Sequence, residues 1–186
     1  GYVAAGRFQS RGKTEDGTVA PLADLCARSD PAIAIIGDGG IGKTTFLQHL
    51  MEAEFLAPDG RTRHHVRNRP VPFFIELNRC PDHIRDWYDS TLGKTNFITR
   101  YIGQIRENHA SLDSVAPQTL DAVEKELQRV PDDGKAQYLL LLDGFNEVRA
   151  GGSIRADLSN EITVLHTYPN VRIITTSRET QAAYYA

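Results

Sequence analysis

The sequence predicts an α/β domain, a parallel sheet sandwiched between two helical layers, and three observations carry that prediction. Short apolar runs at residues 32–36, 138–142 and 171–176 read as strands buried on both faces, the pattern of parallel sheets. Amphipathic segments lie between them, such as Phe97, Ile98, Tyr101, Ile102 and Ile105 at helical spacing, so strands and helices alternate as crossover connections require. The first apolar run feeds directly into a glycine-rich turn, Gly37-Asp38-Gly39-Gly40-Ile41-Gly42-Lys43-Thr44-Thr45, with a helical pattern behind it.

At 186 residues the chain suits one domain with a sizeable core. Residues 1–30 read as a polar lead-in closing on a short helix, with Pro21 in its first turn and Leu22, Leu25 and Cys26 facing inward. Residues 31–186 read as the domain itself. Ala32–Ile36 is the first strand, and a helix carrying Phe46, Leu47 and Leu50 begins within the glycine turn. A basic stretch follows, Arg61, Arg63, His64, His65, Arg67 and Arg69, ending at Pro70. It reads as a solvated connector, with a loop that contacts a partner or a phosphate as the alternative. Val71–Glu76 is the second strand, Pro72 suiting only its start. Helices are expected over Phe97–Ile105 and around Leu120, Val123 and Leu127 behind Pro117. Tyr138–Leu142 is the third strand. Ile154, Leu158, Ile162 and Leu165 mark a further helix, and Val171–Thr176 the fourth strand. The chain opens on Gly and closes on residues that read as the beginning of a helix, so it is expected to be a segment of a larger protein. The C-terminal part of the core is then missing from the segment.

Composition removes several functions. A net charge of −3 gives no global basic field for nucleic acid or an anionic membrane. No apolar stretch approaches the ~20 residues of a membrane span, and no signal-peptide pattern opens the chain. Cys26 and Cys80 stand far apart without Cys-x-x-Cys spacing, as reduced thiols of a cytoplasmic protein would. No Ser/His/Asp set at recognisable spacing suggests nucleophilic catalysis, and the adjacent pair His64-His65 lacks the partners of a metal site.

Gly37 to Thr44 forms a complete G-x-x-x-x-G-K-[ST] pattern, expected by chance in roughly one chain of this size in a hundred or fewer. Its chemistry is specific. Glycines let successive N–H groups turn inward around phosphate oxygens, and the following helix presents its positive end to the same anion. Lys43 is placed to reach the β- and γ-phosphates and Thr44 to ligate Mg²⁺; the whole run Gly37, Asp38, Gly39, Gly40, Ile41, Gly42, Lys43, Thr44 and Thr45 is the candidate nucleotide cradle. Leu139-Leu140-Leu141-Leu142-Asp143 supplies the second piece: a buried strand delivering a carboxylate at its C-terminal end, where open parallel sheets bind ligands. Asp143 is the candidate Walker-B acid, holding Mg²⁺ beside Thr44. Glu147, four residues on, is placed to orient or deprotonate the attacking water. Arg178, just past the fourth strand, suits a bidentate contact to the γ-phosphate, or alternatively a surface ion pair with Glu179.

These pieces together resemble the NACHT family of signal-transduction ATPases, within the STAND class of P-loop NTPases. The resemblance rests on Gly37–Thr44 as Walker A, Leu139–Glu147 as the Walker-B block and Thr176-Ser177-Arg178 as the sensor-1 element, and it runs from about Ile33 to Arg178. It implies a three-layer P-loop NTPase sandwich with the fourth strand between the first and third, and a fifth strand beyond Ala186. It further implies ATP or ADP with Mg²⁺ as ligands, and a regulatory switch that drives homo-oligomerisation in a signalling or defence protein, innate immunity among them. Flanking helical, winged-helix and sensor domains would be its partners within the chain. Family members usually carry an acid before the glutamate. Here that position is Asn146, which implies slow hydrolysis.

The same residues admit other readings. A small-molecule kinase would use the basic segment 61–69 as a lid, but the two nucleotide motifs stand far apart and Glu147 sits where an ATPase activates water. An AAA+-like mechanical ATPase shares the strand-end glutamate and stays open. No transporter signature precedes Asp143, and no Asn-Lys-x-Asp guanine reader occurs, so adenine is favoured over guanine. Catalytic roles therefore fall to Glu147, Lys43 and Arg178, with Thr44 and Asp143 at the metal. Gly93-Lys94-Thr95 is a decoy: Tyr88 stands where the motif needs Gly. Trp87 and Tyr88 are expected to pack or mark a surface contact. With one sheet edge expected to be uncovered, the 186-residue chain alone should be marginally stable. A cooperative, high-temperature unfolding transition of a monomer, seen by calorimetry and light scattering, would contradict that.

Overall fold

In the computed structural model, the described residues are 32–55, 70–88, 95–108, 111–148 and 152–178. The lead-in at 1–30, Cys26, the basic stretch 61–69, Gly93, Lys94 and Glu179 fall outside them.

Four strands form one parallel sheet: β1 (Ala32–Ile36), β2 (Val71–Glu76), β3 (Tyr138–Asp143) and β4 (Val171–Ser177), in the order β1-β4-β3-β2. The fourth strand thus lies between the first and third, as expected. Helix α1 (Lys43–Phe55) covers one face, while α2 (Phe97–Glu107), α3 (Pro117–Gln128) and α4 (Gly152–His166) cover the other. The alternation of side chains along each strand divides the core accordingly. Leu139, Leu141 and Ile174 meet Phe46, Leu47 and Leu50 of α1, whereas Leu140, Leu142 and Ile173 meet Phe97, Ile102, Leu158 and Leu165. A strand apolar at every position is the residue pattern this two-sided burial requires, and Leu140, Leu141 and Leu142 are all fully buried. The run 32–36, read as buried on both faces, is not: β1 is an edge among the described residues, where Ile33 and Ile35 pack toward α1 while Ala32 and Ala34 are exposed.

Two strands run one residue further than their apolar runs. Asp143 pairs in register with Glu76, and Ser177 with Ile36. A polar side chain ends an apolar run but does not end a ladder, because the ladder bonds main chain to main chain. The consequence is functional: Asp143 is fixed within the sheet rather than carried on a loop.

Helix α2 has an unusual start. Its flanking residue Asn96 makes no side-chain capping bond. Glu161, fully buried on α4, supplies the acceptor: Ile98 N–H donates to its Oε1 at 2.9 Å, Thr99 N–H at 3.3 Å, and the Thr95 hydroxyl to its Oε2 at 3.2 Å. A carboxyl group at a helix N-terminus satisfies orphan donors and opposes the positive end of the dipole. The hydroxyl of Thr95, the last residue of the decoy, is engaged in this cap. Trp87 is buried beneath the Arg100 guanidinium, 4.9 Å from its ring centroid, while Tyr88 is exposed. Cys80 is a free thiol pushed up to about 12 by burial, then by the nearby carboxylates Glu161 and Asp82. It stays protonated at neutral pH, as an inert core thiol does.

Glu161→Ala should destabilise the fold by about 2 kcal/mol or more, leaving two main-chain donors buried without an acceptor. Glu161→Gln should cost less, since its carbonyl can still accept from Ile98. Urea titration of both variants checks this, and equal losses would show that the cap contributes nothing.

Candidate functional site

All four strands point their C-terminal ends to one side, and the chain's phosphate-binding chemistry collects there. The glycine turn leaves β1 with Gly37 still attached to the sheet, its N–H donating to Ser177 O at 3.2 Å. Gly40 and Gly42 then take φ of +81° and +88°, a region costly for any residue with a Cβ. This double reversal curls the loop into the first turn of α1, where Phe46 N–H closes the first helical bond to Gly42 O at 2.8 Å. Main-chain N–H groups at this helix start have no partner within the helix, which is the property an anion site uses. Asp38, Gly39, Gly40, Ile41, Gly42, Thr44 and Thr45 are all exposed.

Lys43 donates to Gly37 O and Asp38 O, each at 2.7 Å. Its ammonium spans the loop from within, and with three N–H donors it retains one for a phosphate oxygen. Thr44 Oγ1 donates to Asp143 Oδ2 at 2.7 Å. The two motifs read separately in the sequence are therefore in direct contact. The other carboxylate oxygen, Asp143 Oδ1, accepts from Thr176 Oγ1 at 2.6 Å, and Thr176 Oγ1 accepts from Gly144 N–H at 2.9 Å. Both oxygens of Asp143 are thus oriented, and each keeps a further lone pair. This donor set fits Mg²⁺: one hydroxyl and one carboxylate in contact, with phosphate oxygens and water to fill the remaining octahedral positions.

Gly144, in a left-handed conformation, turns the chain out of β3 into a single 3₁₀ turn, Phe145–Glu147. Glu147 N–H donates to Gly144 O at 2.7 Å. The Glu147 side chain is exposed and folds back over Gly144, with Oε2 3.3 Å from where a Cβ there would lie. Arg178 is exposed beyond β4, and its guanidinium lies above the glycine turn, 3.8 Å from a Cβ position on Gly39. The structure therefore brings Gly37–Thr45, Asp143 and Arg178 to one place, with Glu147 one turn past Asp143.

Three further residues belong to this neighbourhood. Thr176 links Asp143 to the main chain of Gly144; the sequence placed it in the sensor-1 element but did not announce these two contacts. Arg155 of α4 donates to the carbonyls of Asn146 and Val148, and no local pattern announces that contact. Glu76 ends β2 in register with Asp143, and its carboxylate is held by Arg79 at 2.7 Å. An acid closing an apolar strand beside another such strand was the available signal.

Comparison with known proteins gives one match. The family model described as NACHT domain matches residues 32–183, most of the chain. No curated protein and no solved structure matches the chain significantly.

Lys43→Ala should weaken MgATP binding by about tenfold or more, as loss of a charge-assisted contact to phosphate does. Titration with a fluorescent nucleotide measures it, and unchanged affinity would remove Lys43 from the site.

Proposed function

The chain belongs to the NACHT family of P-loop NTPases, nucleotide-binding modules, and on that premise we propose that it is a slow, Mg²⁺-dependent ATPase acting as a regulatory switch. The observation that carries the reading is the 2.7 Å bond from Thr44 to Asp143. It joins the loop that holds phosphate to the strand end that holds the metal. Bound there, Mg²⁺ would neutralise the phosphate oxygens as charge develops on them. Water attacks the γ-phosphorus, the bond to the bridging oxygen breaks to release ADP, and Glu147 takes the water's proton. Lys43 stabilises the charge on the departing diphosphate.

The switch lies in the difference between ATP and ADP. A ligand shifts a conformational equilibrium only by its differential affinity for the two states. The third Lys43 donor and the Arg178 guanidinium above Gly39 are the groups placed to feel the γ-phosphate and provide that difference. The ADP form is the resting state, and the ATP form self-associates, in concert with domains flanking this one, to signal in a cytoplasmic pathway. Among the described residues, no helix is long and apolar enough to cross a membrane, and the chain's net charge of −3 favours no nucleic-acid partner.

An AAA+-like mechanical ATPase is the competing reading, favoured by the exposed glutamate one turn past Asp143. Nucleotide extracted from the purified protein separates the two. Tightly held ADP supports the switch, while an empty site with steady turnover of added MgATP supports a cycling enzyme. Glu147→Gln should bind MgATP as the parent does and hydrolyse it about a hundredfold more slowly. Equal single-turnover rates in the two proteins would take Glu147 out of the mechanism.

A further inference from the structure

We propose that Arg155 is the positioning residue for Glu147, holding from helix α4 the turn that presents this glutamate. The inference rests on the ATPase reading above and concerns the same site. Arg155 Nε donates to Val148 O at 3.2 Å, and its terminal nitrogen donates to Val148 O at 3.0 Å and to Asn146 O at 3.2 Å. Those two carbonyls flank Glu147 on either side in the chain. A planar guanidinium presents its N–H donors in a fixed fork, whereas the donors of an ammonium rotate freely about its flexible stem.

The rest of the turn is held with equal thoroughness. Phe145 and Val148 are 1% exposed and anchor in the core beneath α4. Gly144 N–H is taken by Thr176, and Gly144 O by Glu147 N–H. Every main-chain polar group named here has a partner, and Glu147 is the exposed side chain of an otherwise fixed turn. A catalytic carboxylate needs this arrangement, because a general base works only from hydrogen-bond reach of the proton it removes. Arg155 is half-buried, and its guanidinium serves main-chain carbonyls on a surface turn. Apolar packing of Phe145 and Val148 would already secure that turn against unfolding. Orientation of Glu147 is what the guanidinium adds.

The test uses Arg155→Met, which keeps the stem's packing, and Arg155→Lys, which keeps the charge without the fork. Arg155→Met should bind MgATP within about twofold of the parent and turn it over about tenfold more slowly. Hydrogen exchange across residues 144–148 should quicken, and Arg155→Lys should recover part of both effects. In a Glu147→Gln background, Arg155→Met should cause no further slowing, since its effect passes through the missing carboxylate. Parent-like turnover in Arg155→Met, or the same slowing with and without the Glu147 carboxylate, would overturn the proposal while leaving the ATPase reading intact. Failure of both variants to fold would make Arg155 a fold residue and overturn it too. A parent protein that binds MgATP without any turnover would end this proposal and the ATPase reading together.

Discussion

The bond between Thr44 and Asp143 joins residues 99 apart in sequence, and almost every other feature of the domain is a condition for it. Thr44 sits at the start of α1, so the glycine turn must bring the helix back over the sheet. Asp143 must end a strand on the same side of the sheet as β1, which only a parallel arrangement provides. The order β1-β4-β3-β2 leaves one strand between them, and that strand contributes Thr176 to orient the second oxygen of Asp143. Side-chain alternation then decides which face the acid uses. Leu139 and Leu141 face α1, so Asp143, two residues further, faces α1 as well.

Rigidity at the site is unevenly distributed, and the distribution makes chemical sense. The side proposed to hold the metal is locked: Asp143 lies in a ladder, Thr176 is buried, and Gly144 N–H is engaged. The phosphate side is open, with five loop residues exposed between Gly37 and Lys43 and the Lys43 ammonium resting on the loop's own carbonyls. Phosphate oxygens can recruit those groups without breaking any core contact. On the proposed reading, preorganised donors beside the metal position and adaptable donors beside the phosphates would let the site distinguish two nucleotides that differ by one phosphate group.

Much of this was legible in the residue order because it depends on local patterns. The central strands β3 and β4 announced themselves as apolar runs, and the glycine turn as a spacing of residue types that few other structures need; β1, just as apolar, lies at an edge among the described residues with Ala32 and Ala34 exposed. Strand ends were less legible: Asp143 and Ser177 are polar, yet the ladder includes both. The interactions that sequence reading missed are those between distant segments. Glu161 caps a helix more than 60 residues earlier in the chain, and nothing near it in sequence says so. A faint signal existed, since Glu161 falls on the inward stripe of Leu158, Ile162 and Leu165, where an acid needs a partner. Arg155 left no such trace, because a hydrogen bond to a main-chain carbonyl imposes no residue type on the other side.

That last point bears on Asn146, which stands where the resemblance leads one to expect an acid. Arg155 binds the Asn146 carbonyl rather than its side chain, so exchange of a carboxylate for an amide at this position leaves the anchoring of the turn unchanged. What changes is charge. An acid here would add a second negative group beside Glu147. With Asn146, the glutamate faces the site without that neighbour. On the proposed mechanism, the carbonyl of residue 146 helps fix the turn that carries Glu147, while its side chain decides the charge beside that carboxylate. On that reading, variation at position 146 would alter hydrolysis while leaving the anchoring of the turn in place.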